Sequence, residues 1–325
     1  MKKKLSLMLA IILAASALSG CGSTSYQAAT KDPGTKIVAT IFPEYDWLMK
    51  VLGDNPANMD VTLLLDSGVD LHSYQPSTED ILKISTADLL IYVGGESDAW
   101  IDDALEEAMN KDMVVVNLLD ILGDAAWEEE LAEGMQGDCE EEEEPEYDEH
   151  VWLSLKNTSL FVEQISEKLK SLDPANAELY SANAKAYQAE LNALDEDYRE
   201  AVSDAEITTL LFADRFPFRY MVEDYGLSYY AAFAGCSAET EASFETVSFL
   251  SRKLDELKLP AVITLETGDQ RMAQTIIQNT ADKNQKILTL DSMQSTKDTD
   301  IAAGADYLSI MRKNLEVLKE ALQAA

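Results

Sequence analysis

The chain has 325 residues, with 60 acidic against 25 basic side chains, a formal charge of −35 at pH 7, two histidines and three cysteines. Such a surface lacks the clustered Lys and Arg that phosphate contacts demand, which excludes nucleic acid as a partner. The length suffices to bury a core without disulfides, so Cys139 and Cys236, the two cysteines beyond Cys21, leave a bridge open without requiring one.

The N-terminus carries Lys2, Lys3 and Lys4, an apolar run from Leu5 to Leu18, and then Leu18-Ser19-Gly20-Cys21, the shape of a bacterial lipobox. The run is shorter than the ~20 residues that span a bilayer and ends in small residues, so residues 1–20 read as a lipoprotein signal peptide rather than a retained anchor. Cys21 would then carry the lipid, and the protein is expected to be extracytoplasmic and anchored to the cell membrane. Residues 21–35, with Ser, Thr, Gly and Pro, read as a tether. From Lys36, β-branched runs predict strands at 37–41, 61–65, 89–93 and 114–118, with helices over 44–53, 78–86 and 98–110 between them. Such alternation predicts a parallel sheet wrapped by helices, a first lobe over 36–172.

An acidic loop, 128–149, interrupts the alternation; from Asp138 to Glu149 nine of twelve residues are Asp or Glu. Like charges so dense repel one another and predict a solvated loop, and beside His150 the tract is also expected to collect cations weakly. A helix over 157–172 follows, and Asp173-Pro174 opens a glycine-free stretch to about Ser203 that predicts one long, rigid linking helix over 173–203. Alternation then resumes over 204–325, with strands at 208–212, 229–233, 261–265 and 286–290 and a closing helix over 305–322, where Leu308, Met311, Leu315, Leu318 and Leu322 make a core-facing stripe. The expected fold is α/β: two lobes, each with a parallel-rich sheet flanked by helices, joined by the long helix. Trp47, Trp100, Trp127 and Trp152 show no stacking pattern and are expected in the core.

Both histidines lie in loops. His72 stands in Gly68-Val69-Asp70-Leu71-His72-Ser73-Tyr74-Gln75-Pro76-Ser77, past a predicted strand, and His150 in Asp148-Glu149-His150-Val151-Trp152-Leu153-Ser154, ahead of a helix. Strand ends of an open α/β sheet are where ligands bind, and neutral imidazole is the commonest metal ligand. Each histidine alone also fits a satisfied polar loop residue. Cys236, in Ala234-Gly235-Cys236-Ser237, reads either as a thiolate ligand or as a small buried residue after a strand.

The two histidine segments resemble the G-x-x-x-H-x-Y-x-P-S and D-x-H-x-W-L-S signatures of the zinc- and manganese-binding lipoproteins of ABC importers. Tyr225-Gly226-Leu227, Ser237-Ala238-Glu239-Thr240-Glu241 with Ser243, Leu265-Glu266 and Thr289-Leu290-Asp291 agree in order, so the resemblance covers about 36–322. It implies one Zn2+ (or Mn2+) in a cleft between the lobes, delivered to an ABC permease and its ATPase by a monomeric carrier. It also implies His72 and His150 as first-lobe ligands and Asp291 as a second-lobe ligand.

One position departs: where the family has His or Glu, this chain has Arg215, which stays protonated and offers no lone pair. Asp214, adjacent, is expected to substitute if the turn is shifted. Alternatively Arg215 pairs with Glu239, Glu241 or Glu266, and the metal keeps three protein ligands and a water. A secreted metallohydrolase using the same histidines is the enzymatic rival, but neither histidine belongs to an HExxH helix and there is no G-x-S-x-G elbow. The same motifs would also suit a manganese carrier, or an adhesin whose metal is structural.

Overall fold

Short apolar strands build two parallel sheets. The computed structural model describes residues 34–54, 59–137, 146–237 and 241–324, and all from Thr35 onward belong to one compact unit. The predicted signal peptide, Cys21, nearly all of the tether, Cys139, Glu239 and residues 138–145 of the acidic tract lie outside the described residues. Among the described residues no helix is long and apolar enough to cross a membrane.

The first sheet holds β1 (Thr35–Ala39), β2 (Met59–Leu63), β3 (Leu89–Tyr92) and β4 (Val114–Asn117) in the order β2-β1-β3-β4, every pair parallel. The second holds β5 (Thr209–Phe216), β6 (Ser228–Ala234), β7 (Ala261–Leu265) and β8 (Lys286–Leu290) in the order β6-β5-β7-β8, again parallel. Each sheet reverses its winding beside its first strand, and there a crevice opens at the carboxyl ends. Hence the loops after these strands carry the polar groups described below.

Helices α1 (Phe42–Leu52), α2 (Thr78–Ser85), α3 (Trp100–Glu106) and α4 (Leu118–Leu122) follow the strands of the first sheet. Ser77 caps α2, accepting from the Asp80 backbone N–H while the Asp80 carboxylate accepts from the N–H of Ser77, so two end groups are satisfied reciprocally. Next come α5 (Leu155–Leu172), capped by Ser154, and α6 (Ala177–Ser203), preceded by a 3-10 turn at Pro174–Asn176. At 27 residues α6 is about 40 Å long. Its Tyr180, Ala184, Tyr187, Leu191, Leu194 and Tyr198 recur at three- and four-residue steps and are buried against α1, α5 and the last helix. The second sheet carries α7 (Arg219–Tyr225), α8 (Phe244–Leu257), α9 (Arg271–Gln278) and α10 (Asp298–Ala302), and the chain returns in α11 (Tyr307–Leu322).

One apolar cluster runs through both sheets. At its centre Trp47 stacks on Phe161 at 5.8 Å and meets the edge of Tyr307 at 5.4 Å. Tyr307 donates its hydroxyl to the Trp152 carbonyl, and the Tyr307 backbone N–H bonds Asp46, so α11 is fastened onto the first half. Trp47 and Trp152 are core residues as expected, but Trp127 is 44 % exposed, with the Arg219 guanidinium 5.4 Å above its ring. The last residues of the acidic tract also depart from the solvated loop expected of them: Asp148 is 3 % and Glu149 1 % exposed.

Candidate metal centre

The loop after β2 tightens into a 3-10 turn, Leu71–Ser73, because the Asp70 carboxylate accepts the backbone N–H of His72 at 3.1 Å. Its imidazole projects into a cavity of about 670 Å³ lined also by Tyr74, Gly95, Ser97, Trp100, Glu129 and Cys236. His150 lies ahead of another 3-10 turn, Val151–Leu153, that leads into α5. Asp148 Oδ1 accepts the His150 backbone N–H at 2.9 Å and lies 2.9 Å from ring Nδ1, so one carboxylate oxygen fixes both backbone and ring. That leaves Nε2 of His150, a fully buried residue, facing forward.

The chain thus brings together two imidazoles 78 residues apart: Nε2 of His72 and Nε2 of His150 are 3.0 Å apart, with ring centroids at 5.0 Å. With Nδ1–H of His150 donated to Asp148, its Nε2 offers a lone pair. His72 Nδ1 faces Ser97 Oγ at 2.8 Å and Glu149 Oε2 at 3.4 Å. Ser97 can accept from Nδ1–H or donate to bare Nδ1, so either nitrogen of His72 can carry the proton. When Nε2 carries it, the proton bridges the two rings; when Nδ1 carries it, two lone pairs converge and call for a cation.

Electrostatics divide the pair. Burial and the charge of His150 push His72 down to about 3. For His150 burial also disfavours the charge, but the Asp148 carboxylate outweighs it and raises the group above the ordinary value. Two adjacent buried imidazolium ions would repel, so the pair takes at most one proton, beside Asp148.

Supporting contacts are tight. A Cβ at Gly235 would lie 2.7 Å from His150 Cε1 and 2.9 Å from the Phe216 carbonyl, so this close approach admits only glycine. Gly95, at φ +84°, gives the same room to Glu149, which accepts the Ser97 backbone N–H at 2.7 Å and keeps Oε2 without a hydrogen-bond partner among the described residues. Gln294, from the loop after β8, places its amide 3.2 Å from His150 Nε2.

The carboxylates expected from the second lobe stand elsewhere. β5 is bulged between Phe212 and Arg215, opposite Ala231 and Phe233 of β6. Within the bulge Asp214 accepts the backbone N–H groups of Arg215 at 3.0 Å and Leu265 at 3.2 Å, which turns it onto its own sheet. Asp291 accepts the Met293 N–H at 2.8 Å and shares a separate cavity of about 480 Å³ with Glu266 and Lys313. Burial and the Asp291 charge raise Glu266 to about 6, and its carboxylate holds the Ser292 N–H and hydroxyl at 2.9 Å.

Of the carboxylates expected for Arg215, Glu239 lies outside the described residues, Glu241 is exposed and Glu266 is engaged with Ser292, while the guanidinium meets Asp70 at 2.5 Å across the two halves. Among the described residues the one group of three potential ligand atoms within 4.8 Å of one another is His72, His150 and Cys236, a cysteine with a free thiol. Neither Asp214 nor Asp291 belongs to that group.

Residues 37–321 match the model of the family described as "Zinc-uptake complex component A periplasmic". The zinc-binding lipoprotein AdcA of Streptococcus pneumoniae is 33 % identical over 319 residues, covering 98 % of this chain but 61 % of AdcA. The high-affinity zinc uptake system protein ZnuA of Bacillus subtilis is 29 % identical over 310 residues, covering 94 % of this chain and 93 % of its own. Among solved structures, the Zn(II)-bound ZnuA-like domain of S. pneumoniae AdcA superposes with a TM-score of 0.70 at 28 % identity, over 89 % of this chain and 99 % of that one. The chain spans about three fifths of the AdcA relatives it matches, 61 % of their length. With its two parallel sheets, its long helix and its paired imidazoles at the strand ends, the chain belongs to the family of the periplasmic component A of the zinc-uptake complex.

Proposed function

We propose that this chain is a binding protein, not an enzyme, that captures one Zn2+ between its two halves and hands it to an ABC permease driven by its ATPase. The carrying observation is the 3.0 Å separation of two imidazole Nε2 atoms with carboxylates behind both rings. Two nitrogens on one tetrahedral zinc at ~2.1 Å stand about 3.4 Å apart, so the rings need to part by only a few tenths of an ångström. Asp148 behind His150 Nδ1 fixes the tautomer that frees Nε2 and raises its basicity, and Ser97, as acceptor of Nδ1–H, allows the same tautomer at His72. His72 and His150 are the proposed ligands, and nitrogen donors favour zinc over manganese. Membership of a zinc-uptake family supports the cargo and the transporter, and the lipobox supports an extracytoplasmic location with a lipid on Cys21.

Titration calorimetry of the full chain is expected to show one tight Zn2+ and weaker Mn2+. A chelator should strip the ion while circular dichroism stays unchanged, since one apolar cluster running through both sheets holds the fold. If the fold melts as the ion leaves, the metal is structural and the carrier reading fails.

Gly235→Ala tests the positioning independently. The new methyl group drives against His150 and the Phe216 carbonyl, so zinc affinity is expected to fall about tenfold or more, the scale of disturbed supporting shells. Competition with a chromophoric chelator reads the change, and unchanged affinity rules out this packing as a requirement.

A further inference from the structure

We infer that Cys236 supplies a thiolate ligand to the cargo ion, so that this chain holds zinc with two imidazoles and one sulfur where the expected arrangement used carboxylates. This inference rests on the carrier reading and gives the site its third donor.

Geometry supplies the first support. Sγ of Cys236 and the histidine nitrogens lie within 4.8 Å of one another, whereas sulfur and nitrogen on one tetrahedral zinc, with bonds of ~2.3 and ~2.1 Å, stand about 3.6 Å apart. A contraction of about 1.2 Å at most therefore closes the triad. The second support is the way the chain holds the thiol there. The lack of a Cβ at Gly235 lets the turn after β6 approach His150, and the Cys236 backbone N–H bonds Glu129 Oε1 at 3.4 Å. The third is Glu149, which lines the same cavity with a buried Oε2 that has no hydrogen-bond partner among the described residues. An acceptor so placed suits a site that takes up positive charge.

The rest of the second half reinforces the assignment by subtraction. Arg215 occupies the expected ligand position and is neutralised by Asp70, while Asp214 is consumed by two backbone N–H groups. Cys236 thus restores a donor from that half. As the S–Zn bond forms, the S–H bond breaks heterolytically and its proton leaves to water, so sulfur binds as thiolate with no change of oxidation state. Thiolate is a soft donor, which widens the preference for zinc over manganese beyond what two imidazoles give.

Cobalt(II) is the probe, because thiolate–cobalt bonding adds an intense near-ultraviolet charge-transfer band that nitrogen and oxygen ligands do not give. The full chain is expected to take one Co2+ with that band. Cys236→Ser and Cys236→Ala, both checked for native circular dichroism, should lose the band and bind Zn2+ roughly a hundredfold more weakly, with Mn2+ affinity changed far less. Zn2+ should also protect Cys236 from alkylation, read by peptide mass. One bound Co2+ without the band, together with parental zinc affinity in both variants, overturns the thiolate and leaves the carrier reading standing. Failure of the parent chain to bind Zn2+ or Co2+ at all overturns both.

Discussion

His150→Ala is expected to weaken zinc binding by roughly two to three orders of magnitude, because a four-ligand zinc site is worth about 10–16 kcal/mol and one donor carries about a quarter of it. The residue is fully buried, and Asp148 Oδ1 would lose its ring partner while keeping the residue's backbone N–H. Some loss of folding stability should therefore accompany the loss of affinity, since a buried carboxylate is left under-bonded. His72→Ala separates the two effects: its ring is set by Ser97, whose hydroxyl can turn to another partner, so affinity should fall comparably with little cost to the fold. Calorimetry with Zn2+ and denaturant melts of both variants provide the comparison. Retention of parental affinity in either variant would mean the imidazoles are not ligands.

Glu44→Gln is expected to stabilise the protein above pH 8 by on the order of 3–5 kcal/mol. Glu44 is completely buried; Oε2 accepts from Thr40 N at 2.8 Å, Thr40 Oγ1 at 3.1 Å and Ile41 N at 3.2 Å, while Oε1 has no partner among the described residues. Burial, and then the charge of Asp98, raise its pKa from 4.5 to about 8. A raised folded value means that the folded chain keeps a proton the unfolded chain has lost. The contribution is therefore complete below pH 4.5 and drains away as pH rises through 8. Glutamine keeps an oxygen for the three donors, never ionises, and adds a donor near Asp98, itself raised to about 7 with a buried Oδ1 that has no hydrogen-bond partner among the described residues. Urea unfolding at pH 4, 6 and 8.5 should show the parent weakening across that range and the variant weakening less, since Asp98 and Glu266 still titrate in it. A parent curve that is flat from pH 4.5 to 8 sinks the account.

The sheets were legible because their strands are short, mostly apolar runs that alternate with helical stretches, the pattern of a buried parallel sheet. Their edges were less so. The predicted strand 37–41 is found at Thr35–Ala39 because Thr40 and Ile41, apolar enough to extend the run, already turn into α1, with Glu44 taking their N–H groups. The helix predicted over 98–110 ends at Glu106, since Met109 and Asn110 bond Ser85 instead. In the site, the histidines were legible from local spacing. The partner of Arg215 was not, because Asp70 lies 145 residues away and only the bulge in β5 aims the guanidinium there. Cys236 was legible as one of two readings, thiolate ligand or small buried residue, and its nearness to His150 depends on a missing methyl at Gly235, a fact of packing rather than pattern.

The return of α11 onto the opening segment bears on how the molecule comes into being. Lys50 reaches Asp306 and Asp46 holds the Tyr307 N–H, so the last helix seals a core begun some 260 residues earlier, at sequence separations of 256 and 261. Emerging portions of the polypeptide cannot bury Trp47 or Tyr198 for good until that helix arrives, and contacts of such span make acquisition of the native state slow. Trimming residues from 307 onward would thus not shorten the protein so much as leave it without its final closure.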